Sequence, residues 1–447
     1  MKAWFSDGVF RSVLRNASYL GSGKLGGTVL SLIALSCAGR GMSTALFGTL
    51  VVINAYAAGV SNLVKFQTWQ FIVRFGAPAL VRNENAMFCD IISFSFALDL
   101  ASGAFGLIVG MVLLPFLSHR VGIDDSSFAL AMFYCTLIPI MTAATPTGVL
   151  RTLDRFDSIA VQQMVTPLLN AIGSLFTFVM GYGFVGFVVS WYVSELIGDL
   201  FLWVVAAREL RRQGFHNAMR PGLFAPARRI KGAWNFVWTT NFAHSIWSAW
   251  GSLSNVIVGA MLGPTDAGLF KIASTFFTSA SKPADLMAKS FYPEVMRLDP
   301  TSNKPWLLAL RSSLMAVGIG LIVLLVIFVG GRPLISLVFG HRYLEAFSLL
   351  QIMTVALLVS MAGFPMESLL YMSSKQKSAL IAEGSAALAY GVVLVIFIHF
   401  FGLLGSGFAY VAGMCMKALF SFIPTFSAWR HRHTLTHAHL NSVDTPG

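Results

Sequence analysis

Ionisable side chains set inside long apolar runs are the residues here equipped for chemistry. An ionisable group at mid-bilayer costs at least ~2.5–3.5 kcal/mol on insertion scales, so each is a functional candidate unless it lies near an interface. The cations of this kind are Lys24, His244, Lys271 and Lys282, and the acids are Asp90, Asp99, Glu195, Asp199, Glu367 and Glu383. Lys24 and His244 each lie about two turns into their runs, and an offset of 220 residues superposes one on the other. Lys24 and Lys282 have a blander use, snorkelling to an interface. His244 could simply hydrogen-bond within a helix bundle, and Lys271 sits about a turn from the outer surface. Glu195 and Asp199 are four residues apart and share a helix face. Two carboxylates this close do not both ionise easily in a low dielectric, which makes them a candidate proton or sodium site. The alternative is that they neutralise Lys or Arg on neighbouring spans. Asp99 stands alone in mid-span and is a third coupling candidate.

Other chemistries lack their residues. Cys37, Cys89, Cys135 and Cys415 are scattered through apolar runs without a C-x-x-C pair, so neither a metal site nor a redox pair is expected. The tail histidines His431, His433, His437 and His439 read as a solvated tail before a weak metal site. GSGKLGG at 21–27 does not follow a strand or fit G-x-x-x-x-G-K-[ST], so it is not a phosphate loop. No outer connection exceeds about 15 residues, too short for a catalytic lobe, and no catalytic residues or cofactor are expected.

The elements that position these side chains are bilayer spans. Of 447 residues, 56% are hydrophobic and 11% charged, whereas soluble domains carry about a quarter charged residues. The sequence predicts about twelve spans, at 17–38, 44–66, 87–117, 127–149, 157–181, 184–207, 233–260, 266–291, 305–330, 345–371, 377–400 and 403–427. The 87–117 run exceeds one span, so part of it extends beyond the bilayer or tilts. The first run lacks a small-residue cleavage site and reads as a retained span.

Short loops rich in Lys and Arg stay in the cytoplasm. The stretch 208–232 holds Arg208, Arg211, Arg212, Arg220, Arg228, Arg229 and Lys231 against Glu209 alone, which fixes the orientation and puts both termini in the cytoplasm. Alternate connections agree: Arg11, Arg15, Arg74, Arg82, Arg151, Arg155, Arg297, Lys304, Lys375, Lys377, Arg430 and Arg432 fall inside, and Arg40, Arg120, Arg332 and Arg342 outside. The net charge of +12 is therefore topology and contact with anionic membrane lipids, not nucleic-acid binding.

The basic stretch divides the chain into an N-terminal six-helix lobe (1–207), a cytoplasmic linker (208–232), a C-terminal six-helix lobe (233–430) and a cytoplasmic tail (431–447). Such duplication is common in secondary transporters. Pro139, Pro146, Pro283, Pro293 and Pro365 are expected to kink their spans. Gly21, Gly23, Gly26 and Gly27 are expected to admit a closely packed neighbour.

Three patches carry a resemblance: NVIVGAMLGPTDAGLFKIAS (255–274), SFYPEVMRL (290–298) and PLISLVFGHRYLEAFSLLQIM (333–353). In these the chain resembles polysaccharide-export and O-antigen flippases of the multidrug/oligosaccharidyl-lipid/polysaccharide superfamily. That resemblance implies two six-helix lobes around a central cavity that opens to one side at a time. It also implies translocation of an undecaprenyl-diphosphate-linked oligosaccharide across a bacterial inner membrane, with a polysaccharide polymerase and glycosyltransferases as partners. A cavity floored by Lys24, His244, Lys271 and Lys282 would suit the diphosphate. A multidrug-type cation antiporter of the same superfamily is the second reading. A membrane polymerase or ligase is the third, although such enzymes need a larger outer loop.

Overall fold

The computed structural model describes residues 26–431 apart from 142–143, 217, 221–232, 239–240, 242–248, 297, 300 and 374. Among the described residues every regular element is helical. Hydrocarbon offers no partner to a backbone N–H or C=O, so each segment must close its hydrogen bonds within itself. The described residues fall into two compact units. One reaches Asn241 and includes Gly263–Thr265; the other comprises Ala249–Leu262 and the residues from Asp266 onward.

The first unit opens with α1 (residues 26–41) and α2 (Thr44–Val64). Ser43 caps α2, its Oγ accepting from the Leu46 N–H at 3.3 Å. The expected close neighbour of the first-span glycines is present. A Cβ on Gly27 would stand 2.8 Å from the Gln163 carbonyl oxygen, and one on Gly26 3.2 Å from Met164. Gly21 and Gly23 lie outside the described residues.

α2 stops at Lys65, which turns extended (φ −66°, ψ 117°), and α3 (residues 68–81) begins within three residues, with a π turn over Ile72–Gly76. The sequence predicts only a connection between 66 and 87. The difference has a packing cause. Phe71, Ile72 and Ala79 are buried with Phe88, Ile91, Phe94 and Val149, while Arg74 and Arg82 are exposed. The segment is thus an amphipathic helix, held by core burial that its two arginines disguise. α4 (Asn85–Leu117) is one helix of 33 residues, about 48 Å long against a ~30 Å hydrocarbon core, in keeping with the long run seen in the sequence.

The single span predicted over 127–149 is in fact three pieces: α5 (Asp125–Cys135), α6 (Ile138–Met141) and α7 (Thr145–Thr152). Pro146 sits in the first turn of α7, where its missing N–H leaves no intrahelical bond unmade. α8 (Phe156–Met180) and α9 (Gly183–Arg212) form a hairpin closed by Gly181 at φ 71°, a left-handed conformation that suits glycine. Their approach is close, because a Cβ on Gly173 would strike Ser190 and one on Gly198 would strike Thr166. α10 (residues 233–238) joins the core of this unit through Ala233 and Val237. The proposed linker, 208–232, begins as the end of α9 and then lies mostly outside the described residues.

The second unit holds α11 (residues 249–262, beginning with a π turn), all but the first two residues of α12 (Pro264–Ala280), α13 (Lys282–Val295), α14 (Lys304–Val338) and α15 (Glu345–Met372). The span predicted over 266–291 breaks at Ser281, again with proline in the first turn of the following helix, whereas Pro365 leaves α15 unbroken. The run Gln376–Arg430 is two helices, α16 (376–401) and α17 (403–430), meeting at Gly402 with φ 57° and ψ −138°. They fold back on each other. Lys417 Nζ lies 3.0 Å from Glu383 Oε1, the Tyr390 and Tyr410 rings are 5.9 Å apart, and Lys375 Nζ reaches Ser427 Oγ at 3.4 Å. Each pair straddles Gly402 almost symmetrically, the signature of an antiparallel hairpin. Among the described residues, seven helical runs are long and apolar enough to cross a membrane, and eight when α5 is taken with the residues through Thr152.

Candidate functional site

Two helix breaks of the first unit meet at one carboxylate. Asp99 is the fifteenth residue of α4, about 21 Å from that helix's start, and is 2% exposed. Its Oδ1 accepts from Thr68 Oγ1 at 2.9 Å, at the start of α3. Its Oδ2 accepts from the Ala144 N–H at 2.9 Å and the Thr145 N–H at 2.8 Å, at the start of α7. The Thr145 and Thr68 hydroxyls stand 3.4 Å apart. A helix N-terminus offers unpaired N–H groups and the positive end of a dipole. A carboxylate from another helix answers both, so Asp99 holds the two broken spans in register.

Lys65 occupies the other side of the break. Its Nζ donates to the Met141 carbonyl at 3.0 Å, the last residue of α6. The Lys65 carbonyl accepts from Asn241 Nδ2 at 2.9 Å. The carboxylates whose charges act on its ammonium are Asp199 first and Asp99 second. Asp199 is half-buried and lies near the middle of the 30-residue α9.

Donors collect beside this node. The Arg151 guanidinium lies over the Trp69 ring at 4.1 Å, a cation–π contact. Trp69 Nε1 donates to Gln67 Oε1 at 2.7 Å. Gln67 Nε2 and Arg151 Nε are buried donors without a hydrogen-bond partner. Buried donors are ordinarily paired, so two unpaired ones on either side of Trp69 describe a place that can accept an anionic or oxygen-rich group. Gly148 makes the approach possible, since a Cβ there would stand 2.8 Å from the Trp69 Cα.

The residues singled out in the sequence are distributed as follows. Asp99 belongs to the node, and Asp199 acts on its Lys65 only through longer-range charge. Glu195, one turn before Asp199, acts on Tyr134, whose hydroxyl accepts from Asn54 Nδ2 at 3.0 Å. Asp199 acts on Lys65, so these two carboxylates address different partners. Lys271 is half-buried in α12 and Lys282 half-buried at the start of α13, both in the second unit. Lys24 and His244 lie outside the described residues, as do the tail histidines after His431. Among the described residues no group of three or more His, Cys, Asp or Glu is arranged to hold a metal. Sequence reasoning missed Lys65, Gln67, Thr68 and Arg151. Lys65 closes an apolar run and reads as an interface lysine. The available signal was the Thr145–Pro146 pair, a helix-start signature in the middle of an apolar span.

Comparison with known proteins places this geometry in a family. Residues 13–298 match the family model Polysacc_synt, polysaccharide biosynthesis protein. The inner membrane protein YghQ of Escherichia coli K12 is 56% identical over 350 residues, which is 78% of this chain and 99% of that protein. The fold is similar to an inward-facing multidrug resistance MATE family transporter of the MOP superfamily, with a TM-score of 0.68 at 16% identity over 92% of this chain and 96% of that one. It is also similar to a MOP superfamily transporter from Pyrococcus furiosus, with a TM-score of 0.62 at 16% identity over 93% and 96% of the two chains. The chain therefore belongs to the polysaccharide biosynthesis protein family, and its all-helical fold is the one shared with solved MOP superfamily transporters.

Proposed function

We propose that this protein is a flippase that carries an undecaprenyl-diphosphate-linked oligosaccharide across the bacterial inner membrane by alternating access. The observation that carries the reading is a set of donors, Lys65 and Gln67 at the break after α2 and Arg151 in the last turn of α7 over Trp69. A diphosphate is the part of such a substrate shared by every sugar chain, and cations in a partly dehydrated site attract it more strongly than in water. Lys24, His244, Lys271 and Lys282 remain proposed headgroup contacts. Membership of a polysaccharide biosynthesis family supports the same cargo, with glycosyltransferases and a polymerase as partners on either side of the step.

Coupling is proposed to run through Asp199. Asp99 is committed to the α7 N-terminus, whereas the charge of Asp199 acts on Lys65 from beyond direct ion-pair contact. When a proton or sodium ion neutralises Asp199, Lys65 loses its counter-charge and attracts the diphosphate. Glu195 is a second coupling candidate through Tyr134.

A multidrug-type cation antiporter is the competing reading, favoured by the fold shared with a multidrug resistance transporter. The Pyrococcus furiosus relative is described as having a binding pocket of reverse polarity that suggests a different function. Cargo charge can thus differ between transporters of one fold, and clustered cations repel a cationic drug.

The test is complementation of a flippase-deficient strain, scored beside drug susceptibility. Lys65→Met, Lys24→Ala and His244→Ala should each reduce glycan export at normal membrane levels, and Asp199→Asn should weaken dependence on the ion gradient. Full complementation by all three cation variants, or export of cationic drugs that survives them, sinks the flippase reading.

A further inference from the structure

One face of α9 carries a feature that the transport reading does not use. Val189, Val193, Ile197, Leu200 and Val204 recur every three or four residues and are all exposed, Val204 at 65%. The stripe is about 22 Å long at 1.5 Å per residue, longer than the ~15 Å half-thickness of a hydrocarbon core. It runs directly into Arg208, Arg211 and Arg212, which with Val204 and Ala207 line a recess of about 520 Å³.

The charge of the recess is compensated only in part. Glu209 gives its short contact to Arg155 at 2.7 Å and reaches Arg212 only at 3.8 Å. Among the described residues no carboxylate pairs with Arg208 or Arg211. Guanidinium groups bind phosphate oxygens through pairs of N–H donors. An apolar track long enough to span one leaflet and ending in three guanidiniums matches one chemistry, an acyl chain that ends in a phosphodiester.

We infer that the end of α9 is a binding site for an anionic phospholipid, its acyl chain along Val193–Val204 and its phosphate between Arg208 and Arg211. The site does not depend on what the protein transports.

The experiment titrates purified protein with phosphatidylglycerol and with phosphatidylcholine and counts retained lipids by native mass spectrometry. Phosphatidylglycerol should be retained over phosphatidylcholine. At ~1 kcal/mol per surface cation, the Arg208→Gln/Arg211→Gln variant should bind phosphatidylglycerol about 30-fold more weakly, given roughly 1.4 kcal/mol per tenfold. Arg82→Gln/Arg430→Gln removes two other exposed arginines and should stay within about threefold of the parent. Three results overturn the inference. The two double variants could weaken binding equally, which would mean a general surface charge. Phosphatidylcholine could be held as tightly. Undecaprenyl phosphate could displace phosphatidylglycerol at tenfold lower concentration and lose that advantage in the Arg208/Arg211 variant, which would make the recess a substrate site.

Discussion

Replacing Asp99 with alanine removes an acceptor that serves three donors at once: Thr68 Oγ1, the Ala144 N–H and the Thr145 N–H. The two amides are buried at a helix start and cannot turn elsewhere. Each stranded donor costs ~1–3 kcal/mol, so Asp99→Ala should destabilise the first unit by about 2–6 kcal/mol. Asparagine behaves differently. Its Oδ1 can accept from the amides while its Nδ2 donates to Thr68 Oγ1, whose hydroxyl is free to reverse. The loss is then mainly the charge at the helix N-terminus, ~0.3–2 kcal/mol. The assay is thermal unfolding of the detergent-solubilised protein followed by fluorescence-detected size exclusion, paired with the complementation test. Asp99→Ala should melt on the order of 5–10 °C lower, using ~2 °C per kcal/mol for a large domain, and Asp99→Asn should lie close to the parent and retain export. Equal stability of both variants with the parent refutes the cap. A stable Asp99→Asn that exports nothing refutes it differently, because the carboxylate would then be a coupling group instead of a positioning one.

Two further predictions test the geometry of the breaks. Gly148→Ala places a Cβ 2.8 Å from the Trp69 Cα and 3.0 Å from Ile72. It should push α3 off α7 at ~1–3 kcal/mol, read as a lower melting temperature, and an unchanged value would mean that the contact yields freely. Gly402→Ala forces an L-residue into φ 57°, ψ −138° and should cost ~1–3 kcal/mol. The loss should appear as faster proteolysis at the α16–α17 turn, and undiminished resistance would show that the turn relaxes without strain.

Much of the fold was legible in the sequence because the bilayer admits few solutions. A run of about 20 apolar residues must be a helix, and the described ends fall close to the expected ones at Thr44–Val64, Phe156–Met180 and Glu345–Met372. Helix breaks were harder. Pro146 and Pro365 look alike in the sequence, yet one starts a new helix and the other sits inside an unbroken one. The difference lies in Asp99, which supplies acceptors for a helix start at Thr145 from 46 residues away. α3 was missed for a related reason. Its pairing of Phe71 and Ile72 with Phe88 and Phe94 has no local trace, and Arg74 and Arg82 read as loop residues.

The candidate site shows the same division. Asp99 and Asp199 could be named from the sequence because a charge within an apolar run is costly wherever its partner lies. Their roles could not. Four-residue spacing grouped Asp199 with Glu195, but the fold sets its charge to act on Lys65, which sits at the end of another span. By itself the sequence determined that the chain is a many-spanned helical membrane protein and that a few carboxylates inside it need an explanation, since both follow from transfer energies that depend on residue type alone. The tertiary structure decided which carboxylate caps a broken helix, which one balances a lysine, and where donors stay unpaired. Hydrogen bonds act over a few ångströms, and only folding brings residues 68, 99, 144 and 145 within that range.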